Sequence, residues 1–274
     1  MSNKELKQKE KEEKKSLKLQ KKEMKKAYKK ERNALVKEEK EIKKNEPLSE
    51  RELLIRQKNE APKRSVLEEI GNSISHGLGA IFGIVALVLM LLKSDGNSMK
   101  ILGSIVYGLS ITIMMLMSCL YHAFRHGSTV KRLWRRFDYS SIYLLIGGTF
   151  APLQLVELGQ NQGHPYLAII WFSIMWALII TGITFVSIFG PGRTKKINFP
   201  LYFVIGWSGL LFIPGWVEHN LPLLFWILGG GIIYSLGMIP FVLKKRSAHF
   251  IFHLLVVAGC IIQFVGIYTC VYVG

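Results

Sequence analysis

The sequence predicts an all-α fold: a polytopic membrane protein whose seven transmembrane helices form a bundle behind a basic N-terminal arm. Three observations predict it. Composition changes abruptly near Pro62. Residues 1–65 hold 23 of the 36 Lys/Arg and 13 of the 19 Asp/Glu, while the other 209 residues keep 13 basic and 6 acidic side chains. The first part has too little apolar surface to bury a core and the second too much to stay in water, so one average over the whole chain misleads. From residue 73 onward, apolar runs recur at about the 20-residue length that crosses a bilayer core as a helix. Finally, every second loop is basic, the pattern that marks the cytoplasmic side of a membrane.

In the arm, residues 1–65, Glu and Lys at i, i+4 spacing favour local helix. Leu6, Leu17, Leu19, Leu35 and Val36 form no sustained heptad, so a helical or disordered arm is expected rather than a coiled coil. Its charge suits anionic lipid headgroups. The interleaved Glu and scarce aromatics argue against nucleic acid as a partner. No short apolar stretch with a cleavage site follows the first charges, so the arm is expected to remain on the side where it is made.

The membrane domain, residues 66–274, is read as spans at roughly 73–92, 100–122, 137–156, 166–188, 199–216, 222–242 and 249–272. The fifth is short and broken by Pro200 and Pro214, which a membrane helix tolerates where neighbours re-satisfy the backbone. Gly77, Gly79, Gly83 and the Gly229–Gly231 run read as close helix packing, with no P-loop pattern beside them. Cys119, Cys260 and Cys270 have no CxxC spacing and sit in apolar stretches, where cysteine behaves as a small hydrophobe.

Loop charge orients these spans. Arg125, Lys131, Arg132, Arg135 and Arg136 lie between the second and third, Arg193, Lys195 and Lys196 between the fourth and fifth, and Lys244, Lys245 and Arg246 between the sixth and seventh. The loops after the third and fifth spans have no Lys or Arg. The alternation holds for seven spans with the N-terminus cytoplasmic and the C-terminus outside.

With that orientation, polar side chains of four helices meet at the cytoplasmic face. Glu68, Asn72 and His76 run at i, i+4, i+8 into the first span, Ser118 and His122 close the second, Asp138 opens the third, and His249 and His253 open the seventh. Ionisable groups in or near hydrocarbon are costly and mark function by default. Two imidazoles at i, i+4 can face one ion from one helix, and His122 can supply a third ligand from another. Zinc takes neutral imidazole, and a catalytic zinc keeps three protein ligands and a water. Asp138 could then orient or deprotonate that water, and Ser118 could donate to a substrate carbonyl. Blander readings stand beside this one. Ser118 could bond back to its own helix, Asp138 could pair with Arg135 or Arg136, and Glu68 and Asn72 could serve as helix capping. His76 could be a second partner or an alternative ligand. A proton relay would use similar residues without a metal. His126, His164 and His219 read as loop residues.

The segments EEIGNSISHG at 68–77, SCLYH at 118–122, FDYSSIYLLIGGTFAP at 137–152 and HFIFH at 249–253 resemble, in order, the E-x3-N-x3-H, S-x3-H, Asp and H-x3-H motifs of the haemolysin III family. This is the bacterial branch of the progestin and adiponectin receptor (PAQR) superfamily. The resemblance covers about residues 65–274 and leaves out the arm. It implies a seven-span fold in the bacterial cell membrane and a zinc site at His122, His249 and His253, with Asp138 and Ser118 beside it. Because the superfamily includes ceramide-hydrolysing enzymes, it also implies hydrolysis of a lipid amide or ester near the inner leaflet. Tyr139 follows the aspartate where many relatives carry His. The expectation is therefore a zinc-dependent membrane hydrolase. The alternative is a haemolysin-type pore former, or a receptor or sensor with a structural zinc.

Overall fold

The computed structural model describes residues 20–37, 49–243, 245 and 247–273. Leu6, Leu17 and Leu19 of the arm, and Lys244 and Arg246 of the last basic loop, lie outside the described residues. Residues 20–37 form helix α1, exposed along its length. Helix α2, Glu50–Lys58, begins with a reciprocal cap. Ser49 Oγ accepts from the Glu52 backbone N–H, and the Glu52 carboxylate accepts from that of Ser49, which satisfies donors that the first helical turn would leave unpaired.

Among the described residues, seven helices are long and apolar enough to cross a membrane: α3 Val66–Leu92, α4 Ser98–Ala123, α5 Thr129–Asn161, α6 Pro165–Phe189, α7 Pro191–His219, α8 Leu221–Val242 and α9 Ala248–Val273. The described residues contain no strand. Side-chain caps define several starts. Ser65 accepts from the Glu68 N–H at α3, Asn97 from Met99 and Lys100 at α4, and Ser128 from Lys131 at α5.

Three spans differ from the hydropathy reading: α3 and α7 begin seven and eight residues early, at Val66 and Pro191, and α5 differs at both ends. Helix α5 starts eight residues before the expected 137, because the Ser128 cap lets the basic segment Lys131–Arg136 join the helix. Beyond Pro152 it continues to Asn161 as wider, π-type turns. Helix α7 keeps helical form from Pro191 to Trp207, tightens to 3-10 geometry over Ser208–Phe212, and resumes at Ile213–His219. Pro214 has no N–H and its ring would strike the carbonyl four residues back, so the irregular turn falls just before it.

The helices pack in sequence, α3 on α4, α4 on α5 and α5 on α6, and α9 returns to lie against both α8 and α3. Helix α5 also touches α7. Its apolar window is 83% buried, against 50% or less for every other span, so it is the central helix. Close approach depends on missing side chains. A Cβ at Gly108 of α4 would lie 2.5 Å from Leu87 Cβ and 2.9 Å from Leu87 Cα on α3, and one at Gly182 would enter the ring of Tyr143. Outward positions such as Leu78, Ile81, Ile170, Phe225 and Ile251 are exposed, as lipid-facing residues should be.

Candidate metal centre

Antiparallel neighbours bring the end of α4 and the starts of α3, α5 and α9 to one level of the bundle. His122 closes α4, and a carboxylate fixes its orientation. His122 Nδ1 lies 2.5 Å from Glu69 Oε2 on α3, and Lys131 Nζ donates to Glu69 Oε1 at 2.8 Å. An ionised carboxylate accepts only, so Nδ1 carries the proton and Nε2 keeps its lone pair. That Nε2 is buried with no protein partner. Lys131 is itself 1% exposed. It also donates to the carbonyl of Phe124 at 2.9 Å and lies over the ring of Tyr121.

On α9, one helical turn separates His249 from His253, and their Nε2 atoms stand 3.2 Å apart. Ligand nitrogens of His122, His249 and His253 all lie within 4.8 Å of one another, so the trio could hold a metal ion. His76 is outside the trio. Its ring stacks on His253 with centroids 3.8 Å apart, and both of its nitrogens are buried without partners. Asn72 is fully buried, with its side-chain nitrogen 3.4 Å from His122 Nδ1. Glu68 takes a different place from these two. Its backbone N–H donates to the Ser65 cap, and the carboxylate against His122 belongs to its neighbour Glu69.

Ser118 and Asp138 line a cavity of about 190 Å³, together with His76, His249 and His253. Ser118 lies beside the Asp138 carboxylate. No ion pair joins Asp138 to Arg135 or Arg136 among the described residues. Arg135 donates to the carbonyls of Asn59 and Glu60, and Arg136 to those of Ser187 and Ile188. The boundary arginines thus tie the segment before α3 and the end of α6 to α5, which leaves Asp138 to the cavity. Beyond the polar end, the cavity wall is apolar, with Ile142, Leu145, Phe203, Leu228 and Val256 among its residues. His126 and His164 sit between helices and His219 ends α7, and none of them belongs to the trio.

The family model for haemolysin-III related proteins matches residues 64–264. The chain belongs to the haemolysin III family. Hemolysin-3 of Bacillus cereus is 38% identical over 206 residues, covering 73% of this chain and 90% of that protein. The Hemolysin-3 homolog of Bacillus subtilis (strain 168) is 32% identical over 204 residues, 73% of this chain and 92% of that protein. An adiponectin receptor protein of Drosophila melanogaster is 24% identical over 225 residues, 73% of this chain and 50% of that protein, which supports the PAQR superfamily as the wider group. With its seven apolar helices, this haemolysin III chain is a multi-pass protein of the bacterial membrane.

Sequence reasoning missed two polar residues of this centre, Glu69 and Lys131. Glu69 precedes Asn72 by three positions and His76 by seven, so it shares their helix face as well as Glu68 does. Lys131 is one of five basic residues between the second and third spans, and nothing in its spacing separates it from the other four.

Proposed function

We propose that this haemolysin III protein is a zinc-dependent hydrolase that cleaves an amide or ester of a membrane lipid near the inner leaflet. One observation carries the reading. Three imidazoles able to hold a metal stand together, and two of them, His249 and His253, line a mainly apolar cavity with Ser118 and Asp138. The donor set fits zinc. The 3.2 Å between the Nε2 atoms of His249 and His253 matches two ligands each about 2.0–2.1 Å from one tetrahedral ion. A metal would satisfy the orphaned Nε2 of His122, and three ligands leave a fourth position open.

Zinc held in this way polarises a carbonyl and brings the pKa of a water toward neutrality. Around it, the chain's own groups divide the work. A carboxylate oxygen of Asp138 takes the proton of the water that attacks the carbonyl carbon. It then passes that proton to the leaving nitrogen or oxygen as the acyl bond breaks, giving a carboxylic acid and a free amine or alcohol. Ser118 Oγ donates to the carbonyl oxygen as negative charge collects there. Glu69 holds the His122 ring so that Nε2 faces the site. The apolar wall shelters the acyl chain and keeps bulk water out. Cytoplasmic placement of the basic loops sets this chemistry at the inner leaflet, with the N-terminus inside and the C-terminus outside.

A second reading comes from the name that the two Bacillus relatives carry: a lytic membrane protein whose metal is structural. Both readings meet one experiment, elemental analysis of detergent-purified wild type, His253→Ala and Asp138→Asn, followed by turnover of lipid amides in vesicles. The hydrolase reading expects about one zinc per chain in wild type and Asp138→Asn and none in His253→Ala. It also expects turnover to fall by about 10²–10⁴-fold in Asp138→Asn. A chain purified without chelator that carries no metal overturns it. Dye release from vesicles whose lipids stay chemically intact would instead favour lysis.

A further inference from the structure

His249, His253, Val256, Cys260, Gln263 and Ile267 recur at three- and four-residue steps on α9, so they form one stripe. All but His249 are buried. The stripe begins at the metal-capable histidines and follows the cavity, which Val256 and Gln263 also line. Gln263 is out of keeping with an apolar wall. The residue is 7% exposed, and its Oε1 is buried with no hydrogen-bond partner. Across from it, Gly230 of α8 makes room. A Cβ there would come within 2.3 Å of Gln263 Cγ and 3.2 Å of its Nε2.

Two nearby polar groups, Tyr234 and Trp207, have partners within the protein, while Tyr107 OH is buried without one. Tyr234 OH donates to Cys260 Sγ at 3.1 Å. Trp207 Nε1 donates to Ser235 Oγ, which donates to the carbonyl of Gly231. Among the described residues no group donates to Oε1 of Gln263 on the cavity wall. A buried acceptor without a donor is costly, and Leu or Met would fill the same place at no such cost. A donor supplied by the occupant resolves the mismatch. Gln263 lies ten residues beyond His253, about 15 Å along the helix, which is the reach of an extended, medium-length acyl chain.

We propose that Gln263 is a second polar subsite, one that accepts a hydrogen bond from a hydroxyl near the far end of an acyl chain whose carbonyl sits at the histidines. The cavity then prefers ω-hydroxylated chains to plain ones. This rests on the hydrolase reading for the position of the carbonyl.

The test uses the full chain in lipid nanodiscs, loaded with zinc, and measures displacement of a fluorescent fatty acid by laurate and by ω-hydroxylaurate. Wild type should bind ω-hydroxylaurate about tenfold more tightly, the worth of one satisfied buried hydrogen bond. Gln263→Leu and the better shape-matched Gln263→Met should lose that preference with zinc content unchanged. Equal affinity of wild type for the two acids overturns the subsite and leaves the hydrolase reading standing. So does a preference that persists in either variant with its zinc retained. If wild type binds neither acid, the subsite and the acyl-chain role of the cavity fall together.

Discussion

Glu69 grips two partners with one carboxylate, the ring of His122 on one oxygen and the ammonium of Lys131 on the other. Only the first grip bears on metal binding, because it decides which imidazole nitrogen keeps a lone pair for the site. A carboxylate behind a ligand imidazole also raises its basicity, and removing such a partner typically costs about 10–100-fold in metal affinity. Glu69→Gln should therefore weaken zinc binding by about that factor, measured by competition with a calibrated chelator. Glu68→Gln, whose described hydrogen bond is through the backbone, should leave it unchanged. Equal affinity in wild type and Glu69→Gln would remove Glu69 from the site. At this scale the sequence was informative about residue types and less so about partners. His122, His249 and His253 could be picked out because helical spacing puts 249 and 253 on one face and because histidine in a long apolar run is rare. Choosing between adjacent glutamates needs the rotation of α3 against α4, which periodicity within α3 does not contain.

At the scale of elements, the packing of α3 on α4 positions that carboxylate, and Gly108 is one of the contacts that allow it. The Cβ it lacks would fall within 2.9 Å of the Leu87 backbone, which has no rotamer to move aside. Gly108→Val should destabilise the protein by about 1–3 kcal/mol, the usual cost of overpacking a filled interior. The check is a lowered thermal midpoint in detergent, and an unchanged midpoint would mean that the two helices separate freely. Helix positions could be read from the run of apolar residues, but their ends could not. The apolar run of α5 begins later than its helix because Lys131, Arg132, Arg135 and Arg136 depress hydropathy. In the folded chain those side chains reach carbonyls on neighbouring segments or the Glu60 and Glu69 carboxylates, and the Ser128 cap carries the helix back to Thr129. The break in α7 was foreshadowed by Pro214, since a missing donor acts wherever the residue stands.

Over the whole molecule, charge is segregated. Residues 20–37 alone carry eight Lys/Arg against two Glu, on a helix exposed along its length. We propose that this arm lies on anionic lipid headgroups. In nanodiscs containing phosphatidylglycerol, trypsin should cleave the arm more slowly than in nanodiscs of phosphatidylcholine alone. High salt should erase the difference, because such attraction is screened within a Debye length. Equal cleavage in both lipids at low salt would leave the arm without a lipid partner.

The sequence by itself determined the class of the molecule. A run of about 20 apolar residues cannot remain in water, and in lipid its backbone must satisfy itself as a helix, so seven helices follow from composition and length. It also marked the residues too costly to keep in such segments without a use. The tertiary structure alone decided which of them meet. Glu69 rather than Glu68 holds His122, Arg135 and Arg136 turn to backbone carbonyls instead of Asp138, and Gln263 reaches the same cavity as His253. Those outcomes depend on how each helix is rotated and tilted against its neighbours. That is set by contacts between segments far apart in the chain, such as Leu87 on Gly108 and Tyr143 on Gly182, and no single segment encodes them.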